Sequence, residues 1–173
     1  NMGLFDFFKK KDPVVEVVPD RSTSSIKFAV DLIPEQQKKI DNYYRKACAG
    51  NKPYQGATNE EICIAYPVYE LRAAYEKGLI SLKHAGESIE VHHSKLGHLG
   101  FVPDKDIKRV LKVVDTYEHF FLNGFKGGNY KTVQNEHAYG ENEDEADDDY
   151  KKLGKIIKKS SPYGVNVIVK YYK

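Results

Sequence analysis

Tryptophan is missing from this chain of 173 residues, methionine occurs once and cysteine only twice. Cys48 and Cys63 are too few for the covalent framework that staples small secreted domains, so both read as reduced thiols on helices. Long apolar runs are lacking too. The apolar part of the N-terminal GLFDFFKKK is too short for a secretory core and far too short to span a bilayer. Phe5, Phe7 and Phe8 read as a docked or frayed segment, with a weak membrane or partner anchor as the alternative. Asn1 ahead of Met2 reads as the remnant of a cleaved tag. These absences predict a cytoplasmic protein with no integral membrane association.

Catalytic and ligand-binding signatures are equally scarce. No CxxC, HExxH or calcium-loop pattern occurs. His92 and His93 are adjacent, so a strand sends their rings to opposite faces. His84 and His98 sit near loops, with no Cys or carboxylate at a recognised ligand spacing. GFKGGN has neither the Walker spacing nor the dinucleotide fingerprint, and no nucleophile elbow organises the serines, histidines and acids. Paired carboxylates crowd into one segment, without the fixed separation that glycosidic chemistry requires. The chain therefore reads as a non-enzyme with no metal and no cofactor.

What the chain does have is an ordinary globular composition, 40% apolar and 30% charged, and enough length for one domain with a real core. Its net charge of +2 hides a division. Residues 136–149 hold eight of the 25 acids and no Lys or Arg, so the rest of the chain sets 17 acids against all 27 basic residues. A basic body carries an acidic strap, which its own like charges keep solvated.

Pro13, Pro19 and several Ser/Thr make residues 1–24 a flexible N-terminal segment. IKFAVDL predicts a strand. Ile33, Ile40, Tyr43, Tyr44 and Ala47 then recur at helical spacing, and Gly50 supplies a stop. Thr58 and Glu61 have the capping-box spacing of a second helix, which Pro67 breaks or restarts. Val68, Leu71, Ala74 and Tyr75 predict a helical face up to Gly78. LISLKH and ESIEVHH read as strands, followed by a tight loop through Gly97 and Gly100. Asp104 is placed to cap a helix whose Ile107, Val110, Leu111 and Val114 form an apolar stripe. HFFLNGF predicts a strand ending in a turn at Gly127–Gly128. Leu153, Ile156 and Ile157 suggest a short helical contact, and GVNVIVKYY a closing strand. The order favours an α+β fold, a small mainly antiparallel β-sheet or partly open barrel with helices against it.

One surface carries the clearest binding chemistry. Lys105, Lys108, Arg109 and Lys112 lie opposite the apolar stripe of their helix, where they can meet phosphates or an acidic protein partner. Phe101, Phe125 and Tyr130 are candidate stacking residues, and each can equally serve the core. Lys126, Lys131 and the amides around Gly127–Gly128 are candidate phosphate contacts.

From Gly78 onward the chain resembles a divergent HIRAN domain. The resemblance rests on GLISL, IEVHHSKLGHLGFVP, the helix bearing IKRVLKVV, the GFKGG segment and the terminal YGVNVIVKY. Ile89 and Val91 match the family's aliphatic-x-Val strand, and Leu99, Gly100, Phe101, Val102 and Pro103 match its turn into a Gly-aromatic-aliphatic-Pro unit. The opening IKFAV with Gln36 and Gln37 resembles the family's first strand and turn. His84-Ala85-Gly86-Glu87-Ser88 stands where family members carry a longer turn. The resemblance implies one domain over residues 25–173, with a helical insertion at about 38–77 and an acidic insertion at 136–149. It also implies an accessory module binding single-stranded DNA or another nucleic acid. The alternative is a protein-interaction or structural module that recognises an acidic protein or leaves its basic helix solvated.

Overall fold

The computed structural model describes residues 21–134 and 155–173. The acidic strap, Phe5, Phe7, Phe8 and Leu153 lie outside the described residues. The fold is α+β, with two mainly antiparallel sheets and helices against them, and it is not a closed barrel. No described helix is long and apolar enough to cross a membrane.

The opening strand is two strands. β1 (Ser24–Ala29) buries Phe28 on one face and exposes Lys27 and Ala29 on the other. The chain then changes sheet at buried Val30, whose N–H donates to Val165 O at 2.9 Å, and continues as β2 (Asp31–Leu32). α1 (Gln36–Ala47) buries Ile40 and Tyr44 and leaves Ala47 exposed. α2 (Asn59–Ala65) starts at Thr58, whose Oγ1 accepts from Glu61 N–H at 3.3 Å, the expected cap.

Past Pro67 the expected helix does not form. Val68–Tyr69 is β3 and Glu76–Lys77 is β4, and both pair with β8 (His119–Val133). β8 offers an open row of backbone donors and acceptors there, and filling it satisfies more polar groups than a short isolated helical turn would. The first sheet runs β1-β9-β8-β3, with β4 also on β8 and β9 spanning Ile156–Tyr171. Ile156 and Ile157 therefore extend a strand, opposite Val133 and Thr132, and make no helical contact.

The second sheet runs β2-β7-β6-β5, from β5 (Ile80–Ala85), β6 (Ser88–His93) and β7 (Gly97–Phe101). The segment read as a loop through Gly97 and Gly100 is thus a strand. Gly100 is required by proximity, since a Cβ there would stand 1.9 Å from Asp31 O on β2. Gly127–Gly128 is also not a turn: it is a β-bulge within the long β8–β9 hairpin, with φ of 90° and 88°. A Cβ on Gly127 would meet Pro162 O at 2.2 Å.

α3 (Asp104–Thr116) starts one residue earlier than expected, since Pro103 holds the N-cap position and Asp104, the expected cap, is the first helical residue. Its buried residues are Val110, Val113 and Asp106, while Ile107, Leu111 and Val114 are partly buried against the core. That core is one cluster fed by both sheets. Val165, Val167 and Val169 alternate inward from β9, and Ile89, Val91 and Leu99 from β6 and β7.

Candidate functional site

Where β3, β8 and β9 meet the loop before β4, side chains leave a cleft of about 470 Å³. Tyr69, Phe125 and Tyr44 give it aromatic walls, Arg72 and Lys126 give it charge, and Gly127 and Pro162 complete the bulge side. The bulge matters to this placement. The register shift between Lys126 and Gly128 puts an extra residue into β9, where Pro162 and Tyr163 stand opposite Gly127 alone, and Gly127 and Pro162 both line the cleft. Arg72 is oriented by a 2.9 Å hydrogen bond to Gln55 Oε1. Gln55 stands in a left-handed stretch, with φ of 54° at Tyr54, 58° at Gln55 and 67° at Gly56. Two consecutive non-glycine residues there are a costly conformation, held by Tyr54 N–H donating to Glu70 O at 3.1 Å.

The aromatic wall is supported from behind. Phe125 packs on Tyr43 and Tyr44, with ring centroids 5.6 and 5.3 Å away, and on His93 at 6.1 Å. Tyr43 and His93 both donate to Glu76, His93 Nε2 at 3.0 Å, and Asn123 Nδ2 adds a third bond at 2.9 Å. Burial pushes the Glu76 carboxyl up, but these hydrogen bonds and the nearby imidazole outweigh it and hold the group below its ordinary value. Tyr43 is pushed up to about 12 by burial and by its bond to the same carboxylate. Tyr163 is likewise pushed up to about 12, by burial and by donating to Asp41 on α1. Gln37 closes a two-bond clasp on the Tyr163 backbone, at 2.9 and 2.8 Å, so α1 is fixed to β9 beside the cleft.

The candidate binding residues fall into two groups. Lys126 lines the cleft, and Tyr130 stands behind Tyr69 as its cross-strand partner, ring centroids 5.2 Å apart. Lys131 follows on β8 with its Nζ 4.2 Å above the Tyr54 ring. Lys105, Lys108, Arg109 and Lys112 form an exposed stripe on α3, and Phe101 ends β7 just before it. No hydrogen bond, ion pair or ring contact among the described residues joins the two groups. Arg109 is engaged within the protein, 2.7 Å from Asp106 and bonded to Lys27 O on β1, which leaves three lysines free on the stripe among the described residues. Tyr69, Arg72 and the cleft role of Phe125 were not legible as a site. Strand pairing across some 60 residues joins them, and no local spacing signals it.

His92 and His98 stand beside a carboxylate, although the sequence shows no recognised ligand spacing there. Glu90 and His92 are two apart on β6 and share a face, and His98 is the cross-strand neighbour of His92. His92 Nε2 is 3.4 Å and His98 Nε2 3.6 Å from the Glu90 carboxylate. A carboxylate two residues away in a strand is adjacent in space, a spacing outside the recognised ligand motifs. No family model, curated protein or solved structure matches this chain.

Proposed function

We propose that this protein is an accessory binding module, not an enzyme, that takes single-stranded nucleic acid into the cleft beside the β9 bulge. One observation carries the reading: Arg72 and Lys126 line the same cleft as Tyr69 and Phe125. Cations meet a phosphate backbone and ring faces meet bases, and this pairing tolerates any sequence because every base has a stacking face. The resemblance to HIRAN domains points to the same ligand class. Lys131 and Tyr130 extend the surface along β8.

A labelled single-stranded DNA oligonucleotide, titrated at several salt concentrations and followed by fluorescence anisotropy, tests this. Binding should be tight at low salt and weaken as salt rises, and R72Q or K126Q should each lower the log–log salt slope by about 0.7. Tyr69→Ala should cost about 1–3 kcal/mol of binding, the usual worth of one stacked base. No binding at low salt by correctly folded protein would sink the reading.

The α3 stripe favours a second reading, recognition of an acidic protein, because Lys105, Lys108 and Lys112 are exposed without an ion-pair partner among the described residues. Neutralising these three lysines separates the readings. Unchanged oligonucleotide binding leaves the cleft as the nucleic-acid site, and a loss equal to that in R72Q moves the phosphate contacts to α3.

A further inference from the structure

The outer face of the β6–β7 pair gathers two imidazoles and a carboxylate, and we infer that Glu90, His92 and His98 form a site for a divalent transition-metal ion of the zinc class. The β-bulge between β6 and β7 builds it. Strict alternation along β7 would send His98 and Phe101 to opposite faces of the sheet. The register shift at Val91/His92 leaves Leu99 as an extra residue on β7 with no partner on β6, so that His98 pairs with His92 and Phe101 pairs with Glu90. Leu99 turns fully into the core, and the three donors share one half-buried face. The Phe101 ring meets His98 edge-on at 5.1 Å and shields one side of the set.

The distances fit. A zinc ion binds imidazole nitrogen and carboxylate oxygen at about 2.0–2.1 Å, so donors of a tetrahedral set stand about 3.3 Å apart. The Glu90 carboxylate is already 3.4 Å from His92 Nε2 and 3.6 Å from His98 Nε2, and all three donors lie within 4.8 Å of one another. The two rings are stacked, 4.8 Å between centroids and 17° between planes, so closing the set requires a tilt of one ring toward the other. His98 Nε2 must also exchange its 3.0 Å bond to Gly100 O for the ion. Two nitrogens and one oxygen suit zinc, nickel or copper and do not suit calcium or magnesium, which take oxygen ligands. Three protein donors leave a fourth position for water. Both imidazoles would ligate in their neutral form.

The test uses the full chain, freed of metal by chelator and titrated with zinc chloride by calorimetry while the histidine ring resonances are followed by NMR. Shifts should concentrate at His92 and His98. H92A, H98A and E90Q should each weaken the strongest zinc site by about ten-fold or more, whereas H84A, exposed near the end of β5 and paired with Ile89, should leave it unchanged. Zinc should raise the melting temperature of the wild type and not of the H92A/H98A double variant, and magnesium should do neither. The ring resonances distinguish this site from adventitious binding at the two thiols or the acidic strap. Zinc bound equally well by the folded double variant, or saturation without movement of the His92 and His98 rings, would overturn the assignment.

Discussion

Glu76 is the residue on which three elements converge. It sits on β4, and its carboxylate receives Tyr43 from α1, His93 from β6 and Asn123 from β8. Lys95 N–H donates to His93 Nδ1 at 3.1 Å, which makes Nε2 the nitrogen that donates to Glu76. Because the folded pKa lies below the ordinary value of 4.5, the carboxylate adds stability that is complete above that value. The contribution is lost as pH falls through the depressed folded value. Glu76→Gln removes the charge and turns one acceptor into a donor, so the variant should be less stable by about 1–3 kcal/mol at neutral pH. Urea unfolding at pH 7 and again below pH 4 checks this. The gap between wild type and variant should narrow on acidification, and a gap independent of pH would remove the carboxylate from the account. None of this network is visible as a pattern in the sequence, because its members are separated by tens of residues and meet only through sheet pairing.

Among the elements, α3 was the most legible and β3 and β4 the least, for opposite reasons. Apolar residues recur along α3 at a period that only a helix can bury on one side, so its span follows from the sequence to within a residue or two. Val68, Leu71, Ala74 and Tyr75 have the same spacing, yet the backbone there is drawn onto the edge of β8. Periodicity describes what a segment can bury, not which open ladder lies beside it. The rotation of α3 was also only partly legible. Val110 is fully buried, whereas Leu111 is only partly buried, because the stripe is centred on Val110 and Val113. Val110→Ala should therefore cost about 2 kcal/mol. Leu111→Ala should cost less than the roughly 2–5 kcal/mol of a fully buried leucine. Chemical denaturation of both variants measures the two costs, and a larger loss at Leu111 would mean that the helix is rotated from the position described.

At the scale of the molecule, charge and topology meet at one end of the β8–β9 hairpin. Val133 pairs with Ile156, and Gln134 N–H donates to Lys155 O at 3.0 Å, so the chain leaves and re-enters the described fold at adjacent points. Eight acids fall between those points, in residues 136–149. The roots of that segment are close to the proposed cleft: Lys131, two residues before Val133, pairs with Val68, and Tyr130 pairs with Tyr69. We infer that the acidic segment competes with nucleic acid for the cleft cations, whereas a purely solubilising insertion would leave binding alone. Because Gln134 and Lys155 are already bonded to each other, deleting 136–149 shortens the connection between two joined points, and loop entropy changes by about 1 kcal/mol for such a cut. The fold should survive, and the net charge rises from +2 to +10 because no basic residue is removed. The deleted protein should bind a single-stranded oligonucleotide more tightly at low salt. The gain should shrink as salt rises toward physiological strength, where the screening length is about 8 Å. K126Q in the deleted protein should take back most of the gain if the competition is for the cleft. Equal binding by the intact and deleted chains, both melting cooperatively, would reject competition by the acidic segment and leave the cleft itself to be judged by R72Q and Tyr69→Ala.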